Sequence, residues 1–363
     1  MVCRRLALAS RFIAAGFSDG SVMVFHSGGS RDCIFSVKPT HEIIIGLHSR
    51  AISGLFIEEG EVNQVVFASM DGSLFEGVIT ARGIGGERGG TGGYRRVMVG
   101  NYVNDGILVD FTGDTHRWVG LYVGVNGRSL HIWDASTHDL IFSGGNMTDP
   151  DAYHGWHLLV DNVNQYIGRV EIVSQATNVV IVVATRSRLC VMDMEHFTVL
   201  FDIPSRCIVM PLLHRDDHIL CPTLSACRNF ASLVLKSGIA ILIEIGTSSL
   251  QPHVRHFDAS RILTPYLNNN HNNNNNNDDD DDNDNDDDDD GVMCVNGAMN
   301  SRHLFLCCNG VIHVWEYQSC VHLYGLSSPT NIANVTDLVA NDRFVACCSK
   351  DIEGIHLWDF SGC

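Results

Sequence analysis

The stretch FIAAGFSDGSVMVF, residues 12–25, reads as two short strands around a turn. An apolar run leads into Ser-Asp-Gly, and an alternating strand leaves it. Gly20 supplies the positive φ that tight hairpin turns demand, and the Asp19 carboxylate can bond the turn backbone. The same design recurs six more times. QVVFASMDGSLFEGVI turns at Asp71-Gly72, RWVGLYVGVNGRSLHIWD at Asn126-Gly127, ASLVLKSGIAILIEI at Ser237-Gly238 and HLFLCCNGVIHVWEY at Asn309-Gly310. NVVIVVATRSRLCVMD turns at residues 186–188 without glycine, and RFVACCSKDIEGIHLWDF takes a longer turn ending at Gly354.

Successive turns lie 44 to 60 residues apart, except for 72 between the fifth and sixth. A 23-residue tract of Asn and Asp at 268–290 accounts for that excess. Four-stranded repeats of about 40–45 residues that close on Trp-Asp mark a WD-type propeller. Trp-Asp stands at Trp133-Asp134 and Trp358-Asp359, and the sixth repeat carries Trp315-Glu316. In the second repeat, His48, Ser69 and Asp71 match part of the His, Ser/Thr, Asp and Trp set that holds such blades together, with Phe75 near the Trp position. The expected fold is therefore all-β: a seven-bladed WD-type β-propeller of degenerate repeats, one domain over residues 1–363.

The last repeat places strand a at 335–340, strand b at 343–348 and strand c at 355–360. Residues 361–363 are too few for an outer strand, and residues 3–9 serve as strand a of blade one. A seventh blade of three strands, with an open edge at 354–360, is expected. Such an edge invites strand addition.

Composition narrows the function classes. Formal charge is −18, but the 268–290 tract holds 11 aspartates and no Lys or Arg, leaving −7 for the rest. That balance argues against binding nucleic acid through phosphate contacts. The tract cannot bury a core and reads as a disordered surface loop. Residues 81–96, ARGIGGERGGTGGYRR, read as a flexible glycine-rich loop, with no Gly-Lys-Ser/Thr to cradle a phosphate. The 13 cysteines include no Cys-x-x-Cys and fall inside apolar runs, as reduced buried thiols do. No apolar run approaches the roughly 20 residues that span a bilayer. Arg4 and Arg5 give the N-terminus some look of a transit peptide, but its pattern continues into the first hairpin and reads as a strand.

Few residues suggest chemistry. In DPDAYHGWH, residues 149–157, His154 and His157 stand three apart, as metal ligands can, with Asp151 nearby. No glutamate base follows in the metalloprotease pattern, and the stretch connects blades three and four. Partner contact or loop anchoring is the expected role, with no cofactor or metal. No Ser-His-Asp order, activated cysteine or spaced carboxylate pair stands out, so catalysis is not expected. Aromatic and Arg side chains are the usual anchors of interfaces. Arg95, Arg96, Asp149, His154, Trp156 and His157 are accordingly the expected partner-binding residues, on one face of the ring.

Several longer strings go beyond the generic repeat. AAGFSDGSVMVF (14–25), VNDGILVDFTG (103–113), RWVGLYVGVNGRSLHIWD (117–134), GGNMTDPDAYHGWHLL (144–159) and IHLWDF (355–360) together resemble the STERILE APETALA family of plants. The resemblance runs from about residue 3 to 361 and is densest at 103–159. It implies a protein-binding propeller that follows an N-terminal F-box. In such proteins the F-box docks on the Skp-type adaptor of a cullin–RING (SCF) ubiquitin ligase, and the propeller holds proteins to be degraded, transcriptional repressors among them. It also implies action in the nucleus, with a cytoplasmic pool left open, in flower development and organ size. A transcriptional scaffold that works without ubiquitin transfer is the alternative. The chain begins where the resemblance places the end of the F-box, so adaptor binding is expected only where an F-box stands upstream. Three lysines against 21 arginines suit a receptor held beside a ubiquitin-loading enzyme, since they leave few acceptor amines. Compositional drift explains that ratio equally well.

Overall fold

A computed structural model describes residues 2–27, 33–37, 51–79, 94–98, 107–124, 127–147, 169–174, 179–184, 188–204, 223–227, 230–234, 239–245, 253–258, 296–308, 311–327, 335–349 and 354–360. Every element among them is a strand, and the strands form seven antiparallel sheets. Blade one runs from β1 (Cys3–Leu8) to β4 (Cys33–Val37), and blade two from β5 (Ile52–Glu58) to β8 (Tyr94–Met98). Blade three runs from β9 (Ile107–Gly113) to β12 (Leu140–Met147), and blade four from β13 (Arg169–Ser174) to β16 (Thr198–Pro204). Blade five runs from β17 (Thr223–Cys227) to β20 (His253–Asp258), and blade six from β21 (Asn296–Met299) to β24 (Val321–Ser327). Blade seven comprises β25 (Val335–Ala340), β26 (Phe344–Ser349) and β27 (Ile355–Asp359).

Within each blade the strands pair in chain order, so each blade is a meander. The first strand of each blade lies beside the first strand of the next, and β25 lies beside β1, which closes the ring. As the sequence leads one to expect, the seventh sheet has three strands among the described residues, and residues 3–8 form an inner strand of blade one.

The core lies between blades. Phe12, Val24, Leu55, Phe67 and Phe75 fill the seam of blades one and two. Phe56, Leu108, Phe111, Trp118 and Trp133 fill that of two and three. Middle strands touch a neighbouring blade on each face and are therefore mostly apolar. VVIVVA in β14 (Val179–Ala184) and FVACCS in β26 show this pattern, and Cys347 and Cys348 are buried free thiols within it.

The turns behave as their residues dictate. Gly20 and Gly72 adopt φ of 84° and 82°. Asp71 Oδ1 accepts bonds from Ser73 N at 2.8 Å and Ser69 Oγ at 2.5 Å, and Asp19 Oδ1 does the same for Ser21 N and Oγ. Asp71→Ala is expected to lower stability by about 1–2 kcal/mol, because the Ser73 amide loses its acceptor and the buried Ser69 hydroxyl keeps only the longer bond to Ser73 O at 3.5 Å. A fall in the urea midpoint at unchanged slope checks this.

Among the described residues, aside from a single bond from Leu108 N to Met70 O at 3.0 Å, no ladder of backbone bonds joins neighbouring sheets, yet each inner strand is a sheet edge with polar groups to satisfy. Side chains take over. Asp110 Oδ2 accepts Val170 N at 2.8 Å, joining blades three and four. Asp337 Oδ2 accepts Leu6 N at 2.8 Å, joining blades seven and one. Thr336 Oγ1 donates to Cys3 O at 2.8 Å, and Asn341 Nδ2 to Ala9 O at 3.2 Å. A small apolar seam of Cys3, Leu6, Ala15, Ala346 and Cys348 backs the same junction.

Candidate functional site

The inner strands surround a cavity of about 220 Å³ on the ring axis. Its charged lining comes from four blades: Arg5 on β1, Asp110 on β9, Arg169 and Glu171 on β13, and Asp337 on β25. Residues two apart on a strand share a face, which puts Arg169 and Glu171 on the same side while Val170 enters the core. Arg5 reaches across two blades, donating from Nε to Ser53 O at 2.6 Å and from Nη2 to Val109 O at 3.2 Å. Its Nε also lies 3.5 Å from Asp110 Oδ1. Arg169 spans the two aspartates, 3.7 Å from Asp110 Oδ1 and 3.3 Å from Asp337 Oδ1.

Burial governs the electrostatics here. It pushes the Asp110 carboxyl above its ordinary value, while Arg169 and Arg5 pull it back. Burial, with help from Arg169, lowers Arg5, and Asp110 and Asp337 oppose that shift. Glu171 is shifted as well: burial, then Asp110, raise its carboxyl to about 8. Among the described residues no hydrogen bond or ion pair engages Glu171. The arrangement ties blades together and presents one spare carboxyl to a polar cavity. It is suited to binding.

All but one of the blade-holding residues read from the sequence lie among the described residues. Trp133 and Trp315 are buried, and Trp358 packs half-buried against the seam of blades six and seven. Phe75 stacks on Phe67 with centroids 5.1 Å apart, filling the place of the absent Trp. Asp134 caps its turn, accepting from Ser136 N and Oγ and Thr137 N at 2.6 to 3.0 Å. Those bonds hold its carboxyl down at about 2. Asp359 takes two bonds from Arg343, at 3.1 and 3.4 Å. His48 lies outside the described residues.

The expected partner-binding set is divided. Asp149, His154, Trp156 and His157 lie outside the described residues, as do residues 268–290 and 81–93. Arg95 and Arg96 belong to β8 rather than to the glycine-rich loop, because the free edge of β7 (Leu74–Ile79) recruits residues 94–98 as its outer strand. Arg95 Nε is paired with Glu76 Oε2 at 2.7 Å, and His138 Nε2 approaches the other oxygen of Glu76 at 3.0 Å. Both arginines therefore sit on the rim of the ring, and it is Glu76, the partner of Arg95, that meets His138 of blade three. The channel quintet is not singled out by the sequence alone. Its one signal is a lone charge inside an apolar inner strand, as in ILVDFTG and VTDLVA.

No family model matches the chain. Among solved structures, the Cps50 (Swd1) β-propeller domain of Myceliophteria thermophila superposes with a TM-score of 0.59 at 11% identity, over 99% of this chain and 96% of that one. The computationally designed Ika8 protein gives a TM-score of 0.52 at 14% identity, over 99% and 96%. These likenesses establish the fold. A curated relative, the transcriptional regulator STERILE APETALA of Arabidopsis thaliana, is 30% identical over 365 aligned positions, covering 99% of this chain and 68% of its own length. With 30% identity over 99% of its length to that relative, the chain belongs to the STERILE APETALA family.

Proposed function

We propose that this propeller is a protein-binding module of a transcriptional regulator, and that it acts as the substrate-receptor half of an F-box subunit of a cullin–RING (SCF) ubiquitin ligase. The observation that carries the first part is the end-to-end relationship to a relative named as a transcriptional regulator, on a fold that presents a rigid ring surface to partners. The channel side chains support a non-enzymatic reading, because four of the five charges are spent on holding blades together. The proteins held are transcriptional repressors that limit flower and organ growth, and the site of action is the nucleus. Where an F-box stands upstream, the Skp-type adaptor docks on it.

Recovery of the full-length natural protein from plant nuclei tests this reading. The Skp-type adaptor and a cullin should come with it. Their absence, alongside retained repressors, overturns the ligase role and leaves a scaffold without ubiquitin transfer, the second reading that the relative's name favours. The partner face is assigned to the 149–157 connection, with Trp156 as its aromatic anchor and Arg96 on the outer strand of blade two. Trp156→Ala with Arg96→Ala is expected to weaken partner capture by about tenfold or more while leaving the melting temperature unchanged. Capture at wild-type level by the double variant removes that assignment.

A further inference from the structure

We infer that the channel cavity beside Glu171 receives one cationic side chain, arginine or lysine, from a bound partner segment. The inference rests on the protein-binding reading above and adds the chemistry of one contact. Four of the charged groups are already engaged. Arg5 is held by Asp110, Ser53 O and Val109 O, and Arg169 lies between Asp110 and Asp337. The aspartates also accept Val170 N and Leu6 N. Among the described residues Glu171 is left over, half-buried and therefore reachable from solvent, on the lining of a cavity of about 220 Å³. That space is several times the roughly 30 Å³ of one water and accommodates the end of a long side chain.

The sign of the ligand follows from what faces Glu171. Asp110 faces it from β9, Asp337 from β25 and Arg169 from its own strand, with Arg5 beyond Asp110. The neighbouring inner strand β17, TLSAC, brings no Asp, Glu, Lys, Arg or His. Three carboxyls thus stand against two guanidiniums. With Glu171 protonated the channel charges balance at two each, so an anion meets guanidiniums that are already paired and a neutral group leaves Glu171 uncharged. A cation pairs with it. Because burial and Asp110 keep the free carboxyl protonated up to about pH 8, pairing at neutral pH drives its proton out to the buffer.

Calorimetric titration with acetyl-Gly-Arg-Gly-amide, its Lys counterpart and its neutral citrulline counterpart tests this directly. The runs are made at neutral pH in two buffers of different ionisation enthalpy. At least one cationic peptide should bind with release of up to about one proton. Citrulline, and either cationic peptide on Glu171→Gln, should bind about tenfold more weakly or not at all, with no proton released. Equal affinity of Glu171→Gln, or no binding of either cationic peptide up to about 10 mM, overturns the inference. Should Glu171→Gln fail to fold, carboxyl NMR of the wild type decides. The Glu171 signal should titrate near 8 when free and lower with peptide, and an unmoved midpoint overturns the inference. Full partner recovery by a folded Glu171→Gln protein sinks this contact while leaving the protein-binding reading intact.

Discussion

Asp110→Ala is expected to lower the stability of the propeller by about 3–5 kcal/mol, the cost of breaking a buried ion pair from one side. One carboxylate faces Arg5 at 3.5 Å and Arg169 at 3.7 Å and also accepts the Val170 amide at 2.8 Å. Its removal leaves two guanidiniums facing each other in the channel and an inner-strand N–H without its acceptor. Burial already works against ionisation of both partners, so the group has no reserve. Urea unfolding at neutral pH measures the loss. Asp110→Asn keeps an acceptor for Val170 N and is expected to lose less. A change below about 1 kcal/mol for the alanine variant would show that the channel charges are solvated rather than mutually compensated.

Gly54→Ala is expected to cost at least about 3 kcal/mol, or to prevent folding, by overpacking. A Cβ at position 54 would sit 2.1 Å from Phe111 O and 2.6 Å from Phe111 N, both backbone atoms of β9. A flexible side chain could swing aside, but here the inner strand of blade three would have to retreat. Asp110, its neighbour, is pinned to blade four. Gly60→Ala is the matched control: its Cβ would meet nothing nearer than Val62 O at 3.8 Å. That variant should stay within about 0.5 kcal/mol of the parent. Equal stability of the two variants would mean that blades two and three approach less closely than the structure shows.

The three-stranded seventh sheet shows how far pattern alone could reach. Its strands were legible because VTDLVA, FVACCS and IHLWD each carry an apolar signature of the right length. The hairpins were legible for a local reason: Asp-Gly at 19–20 and 71–72 fixes the turn within four residues. β8 was less legible, since YRRVM follows a glycine-rich run and looks like its continuation. Only the unsatisfied edge of β7 makes it a strand.

The sequence by itself determined the paired strands of the seven hairpins, the two Asp-Gly turns, the count of seven blades and the family, because each rests on neighbours along the chain. The tertiary structure alone decided the channel. Arg5 and Asp110 are 105 positions apart, and Leu6 and Asp337 are 331. Neither pair leaves a periodic trace, because each is one residue on an inner strand whose partner belongs to another blade. The same physical reason hid Glu171: a charge in an apolar strand reads alike whether it meets an arginine or a cavity, and only closure of the ring tells the two apart.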